Sequence, residues 1–390
     1  MTFTRFLVLI ALSTGLAGVA QAGGPASTPA GVTPYLITND DLPPKIPTSG
    51  TFFTFAADGT PQNPTRVSLG GVGSGGGYFA ASHVSVLNSS TQQCAYLSLG
   101  ASGEIGAVDI QAVQDVGNFT AATTDDGFDS GIGLANNGSY VYAAFSTSGT
   151  LASFSVQAGC QLQYLGSMPA LGLHGSDVKG MAVHGNLMVL AYGDGSIQSF
   201  NISAGLPVSN GDLQNAAGYT SDNFPVGVDI TQDGHFAIFG DAANYATVEV
   251  SDISSGKLTK TVLYKIGTNF NSNNVLLSPD ETLLYIANTT YGRVSAAFFD
   301  KTTGKVTPGC TSAKLRGFDD TWAYLSSPVT EFATGTGSVL YLAEFGTGIA
   351  MINVTSSGGK CTLTEASTSP IIAPNTTVLT SIGVYPPRSF

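Results

Sequence analysis

Short apolar runs, broken by small polar turns, recur along the chain. Between Leu276 and Asp300 the sequence reads LLSPDETLLYIANTTYGRVSAAFFD. A tight turn at Ser278-Pro279-Asp280 leads into one apolar run, Leu283–Ala287, and a turn at Gly292 leads into another, Val294–Phe299. Runs this short, rich in aromatic, β-branched and small apolar residues and bounded by turn formers, predict strands rather than helices. The same strand–turn–strand unit begins at Ala95 (AYLSLGASGEIGAVDI), Tyr140 (YVYAAFSTSGTLASFSV), Leu187 (LMVLAYGDGSIQSFNI), Phe236 (FAIFGDAANYATVEVSDI), Leu283 and Val339 (VLYLAEFGTGIAMINV). Glycine precedes the second strand at Gly103, Gly149, Gly195, Gly292 and Gly348, where a hairpin turn demands positive φ. No stretch has the period of a long amphipathic helix.

A repeat of roughly 45 residues built only of short strands is the pattern of a β-propeller blade, a four-stranded antiparallel sheet. One blade cannot bury both faces, so blades must pack face to face around an axis. Six units are evident, and a seventh is split between the ends of the chain. Thr33–Asp40 and Gly50–Gly59 look like the second and third strands of a blade without an innermost strand, and Thr377–Pro386 is a lone strand. Joining them closes the ring and removes two open sheet edges. The expectation is an all-β, seven-bladed propeller; the alternative is six blades with a decorating hairpin.

Composition agrees with a packed domain. The chain has 390 residues, 43% hydrophobic and only 10% charged, with 49 glycines, which is the opposite of a disordered chain. Its net charge is −12 and no basic stripe is present, so nucleic acid is not an expected partner. Arg5, the apolar Phe6–Leu12 and Ala20-Gln21-Ala22 read as a signal peptide over residues 1–22, leaving residues 23–390 as a single propeller domain in the secretory-pathway lumen or outside the cell. The apolar stretch is too short to span a bilayer. Asn88, Asn118, Asn137, Asn201, Asn288, Asn353 and Asn375 each begin an Asn-x-Ser/Thr acceptor. Cys94, Cys160, Cys310 and Cys361 allow three pairings; Cys94–Cys160 and Cys310–Cys361 are expected, because each would tie neighbouring repeats together.

Propeller ligands bind where the innermost strands begin. The segments leading into those strands are Ser74–His83, Thr124–Gly131, Leu173–Gly180, Ser221–Gly227, Asn269–Asn274 and Asp319–Ser327, with Thr380 and Ser381. They carry an aromatic set for substrate binding, Phe128, Phe224, Trp322 and Tyr324, together with Asn274. Polar groups for catalysis are His174, Asp177 and Asp222, with Lys179 nearby. An apolar pocket with a few polar anchors suits a small organic, apolar substrate. His83, His184 and His235 read as structural. No nucleophile elbow, phosphate loop or His-Glu-x-x-His motif is present, and neither a metal nor another cofactor is expected.

With its Ser-Pro-Asp turn, Ala-Asn and Thr-Gly-Lys, Ser278–Lys305 resembles the blade of the lactonase-type seven-bladed propellers, which include bacterial phosphogluconolactonases and fungal carboxymuconate lactonising enzymes; Thr231–Thr259 is a looser copy. That resemblance implies the fold and lactone chemistry. The family's His, Arg and acidic set finds no matching motif here, where Arg66, Arg293, Arg316 and Arg388 are the only arginines after residue 22. In length, secretory start, sequon density and apolar character the chain is also similar to fungal hetero-Diels–Alderases of tropolone-sesquiterpenoid biosynthesis. That second resemblance implies a cyclase of secondary metabolism joining a tropolone-derived quinone methide to a sesquiterpene such as humulene, and it is the leading expectation. A cycloaddition needs partners held in reactive geometry more than it needs a nucleophile. Lactone hydrolysis or lactonisation is the first alternative, and a non-enzymatic secreted surface glycoprotein the second. Protein collected from the culture medium of a secreting host is expected to begin at Gly23; an intact Met1 terminus on exported protein would refute the signal-peptide reading.

Overall fold

The computed structural model describes residues 32–40, 46–73, 82–121, 132–219, 225–241, 246–267, 273–288, 291–318, 330–334, 337–344, 348–373 and 379–387. Blade 1 contains β1 (Tyr35–Asn39), β2 (Pro47–Phe55) and β3 (Pro61–Val72). Blade 2 is β4 (Val84–Asn88), β5 (Gln93–Leu99), β6 (Glu104–Asp109) and β7 (Gln114–Thr120). Blade 3 is β8 (Ile132–Asn136), β9 (Tyr140–Phe145), β10 (Thr150–Val156) and β11 (Leu162–Pro169). Blade 4 is β12 (Val178–His184), β13 (Leu187–Tyr192), β14 (Ser196–Asn201) and an outer edge split into β15 (Val208–Ser209) and β16 (Gln214–Asn215). Blade 5 is β17 (Pro225–Ile230), β18 (Phe236–Asp241), β19 (Thr247–Ser254) and β20 (Lys257–Lys265). Blade 6 is β21 (Asn274–Leu277), β22 (Leu283–Asn288), β23 (Arg293–Asp300) and β24 (Lys305–Thr311). Blade 7 is β25 (Thr330–Thr334), β26 (Gly337–Glu344), β27 (Gly348–Ser357) and β28 (Lys360–Glu365). Finally β29 (Ser381–Tyr385) pairs antiparallel with β1, Tyr35 against Tyr385 and Asn39 against Ser381, and becomes the innermost strand of blade 1. The protein is a seven-bladed propeller closed by its C-terminal strand, as the sequence predicts.

Seven apolar clusters hold the ring, each filling the wedge between two neighbours. Ile37, Phe52 and Leu97 pack blade 1 on blade 2, and Leu36, Phe53, Tyr341 and Ile382 pack blade 7 on blade 1. Middle strands such as β5, β13, β18 and β22 are buried along nearly their whole length, because blades cover both faces; this is why they read as continuous apolar runs. The outer β11 alternates buried and less buried positions, as a half-covered strand must. Disulfides Cys94–Cys160 and Cys310–Cys361 join blades 2 and 3 and blades 6 and 7.

Near the axis, glycines let backbones touch. A Cβ on Gly227 would lie 2.6 Å from the Asn273 carbonyl oxygen, and one on Gly180 would overlap the Val226 carbonyl. Where Gly227 approaches, its N–H donates to Asn273 O at 2.6 Å, so the innermost strands of blades 5 and 6 are tied directly. At the split edge of blade 4, Asp212 replaces the missing ladder. Its carboxylate accepts from Ser199 N (3.0 Å), Ser199 Oγ (2.6 Å) and Leu258 N (2.7 Å), linking blades 4 and 5.

The five hairpin glycines named above all have positive φ, from +56° to +138°. They lie in the turns between second and third strands, on the face where innermost strands begin. The Ser-Pro-Asp turn lies on the opposite face: Ser278 Oγ donates to Asp280 Oδ1 at 2.6 Å and accepts from Leu283 N at 3.0 Å. Gln232 N of blade 5 donates to Glu281 Oε1 beside it. Gly180→Ala is expected to cost about 3 kcal/mol, because a backbone carbonyl cannot move aside as a side chain can. Urea unfolding checks it; a midpoint equal to wild type would contradict the tight axial packing.

Candidate functional site

The mouth is built by segments that pass from the outer strand of one blade to the innermost strand of the next. In blade 4 this lead-in is residues 170–177, and it carries two of the predicted catalytic residues. His174 is exposed and Asp177 half-buried. Asp177 Oδ2 accepts from Lys179 Nζ at 2.8 Å, with side-chain exposures of 22% and 18%, so the ion pair is partly shielded from water. Asp177 O also accepts from Gly193 N at 3.1 Å, tying the lead-in to the β13–β14 turn.

Asp194, in that turn, is 4% exposed. Its Oδ2 accepts from His174 N at 2.7 Å, and its Oδ1 accepts from Ser196 N at 3.0 Å and Ser196 Oγ at 2.5 Å. Burial opposes ionisation, but hydrogen bonds from Ser196 Oγ and from the His174, Ser196 and Ser176 amides outweigh it and hold the carboxyl below its usual value. In the sequence Asp194 is an ordinary turn acid between two glycines, and only its contact with the lead-in reveals it.

At blade 6, Asn274 begins the innermost strand. It is 9% exposed. Across the ring, Ser381 is fully buried; its Oγ accepts from His83 N at 3.1 Å and lies 3.2 Å from Ser82 Oγ. Ser98 O accepts from Asn39 Nδ2 at 3.1 Å, and Ser98 Oγ accepts from Ile132 N at 2.8 Å. This network joins blades 1, 2 and 3 and includes the backbone of buried His83, in keeping with the structural role expected of it. The predicted residues Asp222, Phe128, Phe224, Trp322 and Tyr324 lie outside the described residues, as does Asn375. In chain order they fall in the lead-ins to blades 3, 5 and 7, apart from Asn375, which precedes β29.

Blade 5 carries buried acids beneath its lead-in. Asp241 and Glu249 are fully buried, with Tyr219 6% and Thr247 7% exposed. Thr247 Oγ1 donates to Asp241 Oδ2. Neither oxygen of Glu249 accepts a well-formed hydrogen bond, and burial pushes its carboxyl up to about 8 against a weak pull from the Ala217 N–H. Burial, with Asp241 and Glu249 close by, raises the Tyr219 hydroxyl well above its usual value.

Among the sequon asparagines, Asn88, Asn201 and Asn353 are exposed and Asn118 and Asn137 half-buried. Asn288 is fully buried, its Nδ2 donating to Ser295 Oγ at 2.8 Å. A cavity of about 30 Å³ nearby, lined by Ile266, Ile286, Ser295 and Cys310 among others, has room for water but not for an organic ligand. Among the described residues, no three His, Cys, Asp or Glu side chains gather as metal ligands, and no helix is long and apolar enough to cross a membrane.

No protein-family model matches the chain, and no curated protein matches it. Solved structures do. A proposed 6-phosphogluconolactonase from Bacteroides fragilis is 15% identical over 92% of this chain and 99% of that chain, with a TM-score of 0.68. One from Bacteroides uniformis is 13% identical over 90% and 99%, at 0.69. The periplasmic gluconolactonase of Pseudomonas aeruginosa is 12% identical over 90% and 99%, at 0.64. The chain shares the fold of these lactonase-type propellers.

The buried Glu249 makes a pH prediction. Its folded value lies above the ordinary 4.5, so the folded state keeps a proton that the unfolded chain releases. The contribution of Glu249 to stability is therefore greatest at low pH and declines between about pH 4.5 and 8 as the unfolded chain ionises. Glu249→Gln is expected to remove that decline and to be more stable than wild type at pH 8, by an amount on the order of a few kcal/mol. Parallel stability–pH curves for the two proteins would refute the assignment.

Proposed function

We propose that this protein is an enzyme of lactone chemistry, opening or closing a cyclic ester of a small polar molecule at the mouth of the propeller. The observation that carries this reading is the Asp177–Lys179 pair, 2.8 Å apart and partly shielded, where the lead-in that carries His174 enters β12, with Asn274 at the start of another innermost strand. Asp177 takes a proton from water, and the resulting hydroxide adds to the lactone carbonyl. The Lys179 ammonium and the Asn274 amide stabilise the developing oxyanion. As the ring carbon–oxygen bond breaks, His174 supplies the proton to the departing alkoxide. Lactonase-type assignments among proteins of the same fold support the reading.

A second reading, the hetero-Diels–Alder joining of a tropolone-derived quinone methide to a sesquiterpene such as humulene, is favoured by the placement in chain order of Phe128, Phe224, Trp322 and Tyr324. All four lie in segments that lead into innermost strands, where aromatic surface would bind an apolar diene, with Asp222 assisting loss of water to form it. One comparison separates the readings. Purified protein is assayed with a panel of sugar and aliphatic lactones and, separately, with a quinone-methide precursor plus humulene. Lactone turnover that falls about 100-fold or more in Asp177→Asn, with KM changed little, is the expected result. Adduct formation lost in Trp322→Ala but kept in Asp177→Asn would replace it with the cycloaddition reading. Neither activity would leave a secreted binding glycoprotein.

A further inference from the structure

In several blades, the turn between the second and third strands supports the lead-in of the same blade, and a glycine in the lead-in makes the close approach feasible. In blade 4, a Cβ on Gly172 would overlap both Asp194 carboxyl oxygens and Ser196 Oγ. In blade 7, one on Gly317 would overlap Glu344 Oε2. Before blade 2, one on Gly71 would lie 2.8 Å from Glu104 Oε2 and 2.9 Å from Ser102 Oγ. Ser102 Oγ there accepts from Val72 N at 3.0 Å. A Cβ-free approach of lead-in backbone to a buried carboxylate occurs in blades 4 and 7, and Gly71 at the end of β3 makes a similar approach to half-buried Glu104 and Ser102, so it is a device and not an accident of one turn.

We infer that Asp194 is the positioning residue of the mouth, fixing the His174–Asp177 segment through the backbone while touching no substrate itself. The clamp is continuous. Asp194 Oδ2 holds His174 N, and Asp194 Oδ1 orients Ser196 Oγ. Ser196 Oγ in turn accepts from Leu173 N at 3.2 Å. The segment closes on itself by Gly172 N to Ser176 O at 2.8 Å and Gly175 N to Gly172 O at 3.1 Å. Two successive amides are thus bound to one buried carboxylate and its serine, and a displacement of about 1 Å at such a point is enough to misplace a reacting group. For catalysis this inference rests on the lactone reading, but the loop-fixing role is measurable without any substrate.

The test uses full-length Asp194→Ala, Asp194→Asn and Gly172→Ala, with Asp212→Ala as a control that breaks a half-buried carboxylate network at the outer edge of the same blade, with no bond to the His174–Asp177 segment. Amide hydrogen exchange at Leu173 and His174 is expected to accelerate about tenfold or more in Asp194→Ala and in Gly172→Ala, and not in Asp212→Ala. On the best lactone, kcat is expected to fall about tenfold or more in Asp194→Ala with KM within about threefold, and Asp194→Asn, which keeps one acceptor, to recover part of the loss. Unchanged exchange at Leu173 and His174 in Asp194→Ala overturns the inference, as does a kcat loss that Asp212→Ala reproduces at matched thermal stability. If Asp194→Ala fails to fold, Gly172→Ala decides, because it leaves the carboxylate in place and displaces only the loop. If wild type turns over no lactone, the lactone reading fails while exchange still decides whether Asp194 fixes the loop.

Discussion

The pairing of β29 with β1 is the contact on which every other part of the molecule depends. A four-stranded blade has two apolar faces and can bury neither alone, so stability comes only from neighbours, and a line of blades ends in two bare faces. Returning the C-terminal strand to the first blade turns the line into a ring, and the bare faces become the cluster of Leu36, Phe53, Tyr341 and Ile382. Blade 1 also carries the densest buried polar network. Asp40 accepts from Thr38, Ser49 and Thr51, and Arg66 donates to Ser49. Burial raises the Asp40 carboxyl even against those hydroxyls. A fully partnered network of this kind specifies geometry as well as adding energy, and it sits where the two ends of the chain must find one register.

Closure determines what the mouth can be. Neighbouring innermost strands approach closely through glycine, Gly180 on Val226 and Gly227 on Asn273, so blades 4, 5 and 6 are fixed against one another at the inner edge. The candidate site lies on the lead-ins, of which residues 170–177 hang from the end of β12 and are held by Asp194 and Gly193. Their geometry must come from below, from the turns between second and third strands. Buried acids lie near the lead-ins of blades 4, 5 and 7, namely Asp194, Asp241 with Glu249, and Glu344, and Asp194 shows what such a carboxylate can do, accepting the amides of His174 and Ser196 at once.

The fold was legible because its causes are local and repeated. Burial on both faces produces runs such as Leu283–Asn288, positive φ selects glycine at the hairpins, and the ring repeats both at a readable spacing. Even the split blade and the disulfide partners follow from that spacing. The site was legible only in part. The positions of His174, Asp177 and Asn274 at the mouth could be read because each lies shortly before or begins an innermost strand. Asp194 could not, since its partners are amides twenty residues away in the chain, and Gly-Asp-Gly looks like any turn. The contact of the His83 backbone with Ser381, 298 residues distant, was hidden for the same reason. Asn288 shows the converse, a sequon whose local pattern carries no sign that its side chain is sealed against Ser295.

The position of the recognisable motif follows from the same division of labour. Ser278-Pro279-Asp280 and the Asp300–Gly304 turn, where Thr303 Oγ1 donates to Asp300 Oδ2 at 2.6 Å, both lie on the face away from the mouth. Turns there answer to the blade alone: each must reverse the chain in a few residues and seal its own polar groups, and few sequences do that well. Turns and lead-ins on the mouth face answer to each other and to whatever binds between them, so beyond the hairpin glycine they vary from blade to blade. A propeller of this kind therefore advertises its architecture on one face and keeps its specificity on the other. A match to the blade pattern, however clear, is evidence about Leu283–Asn288 and its neighbours in the sheet; the chemistry has to be argued from Asp177, Lys179 and the carboxylate that holds their loop.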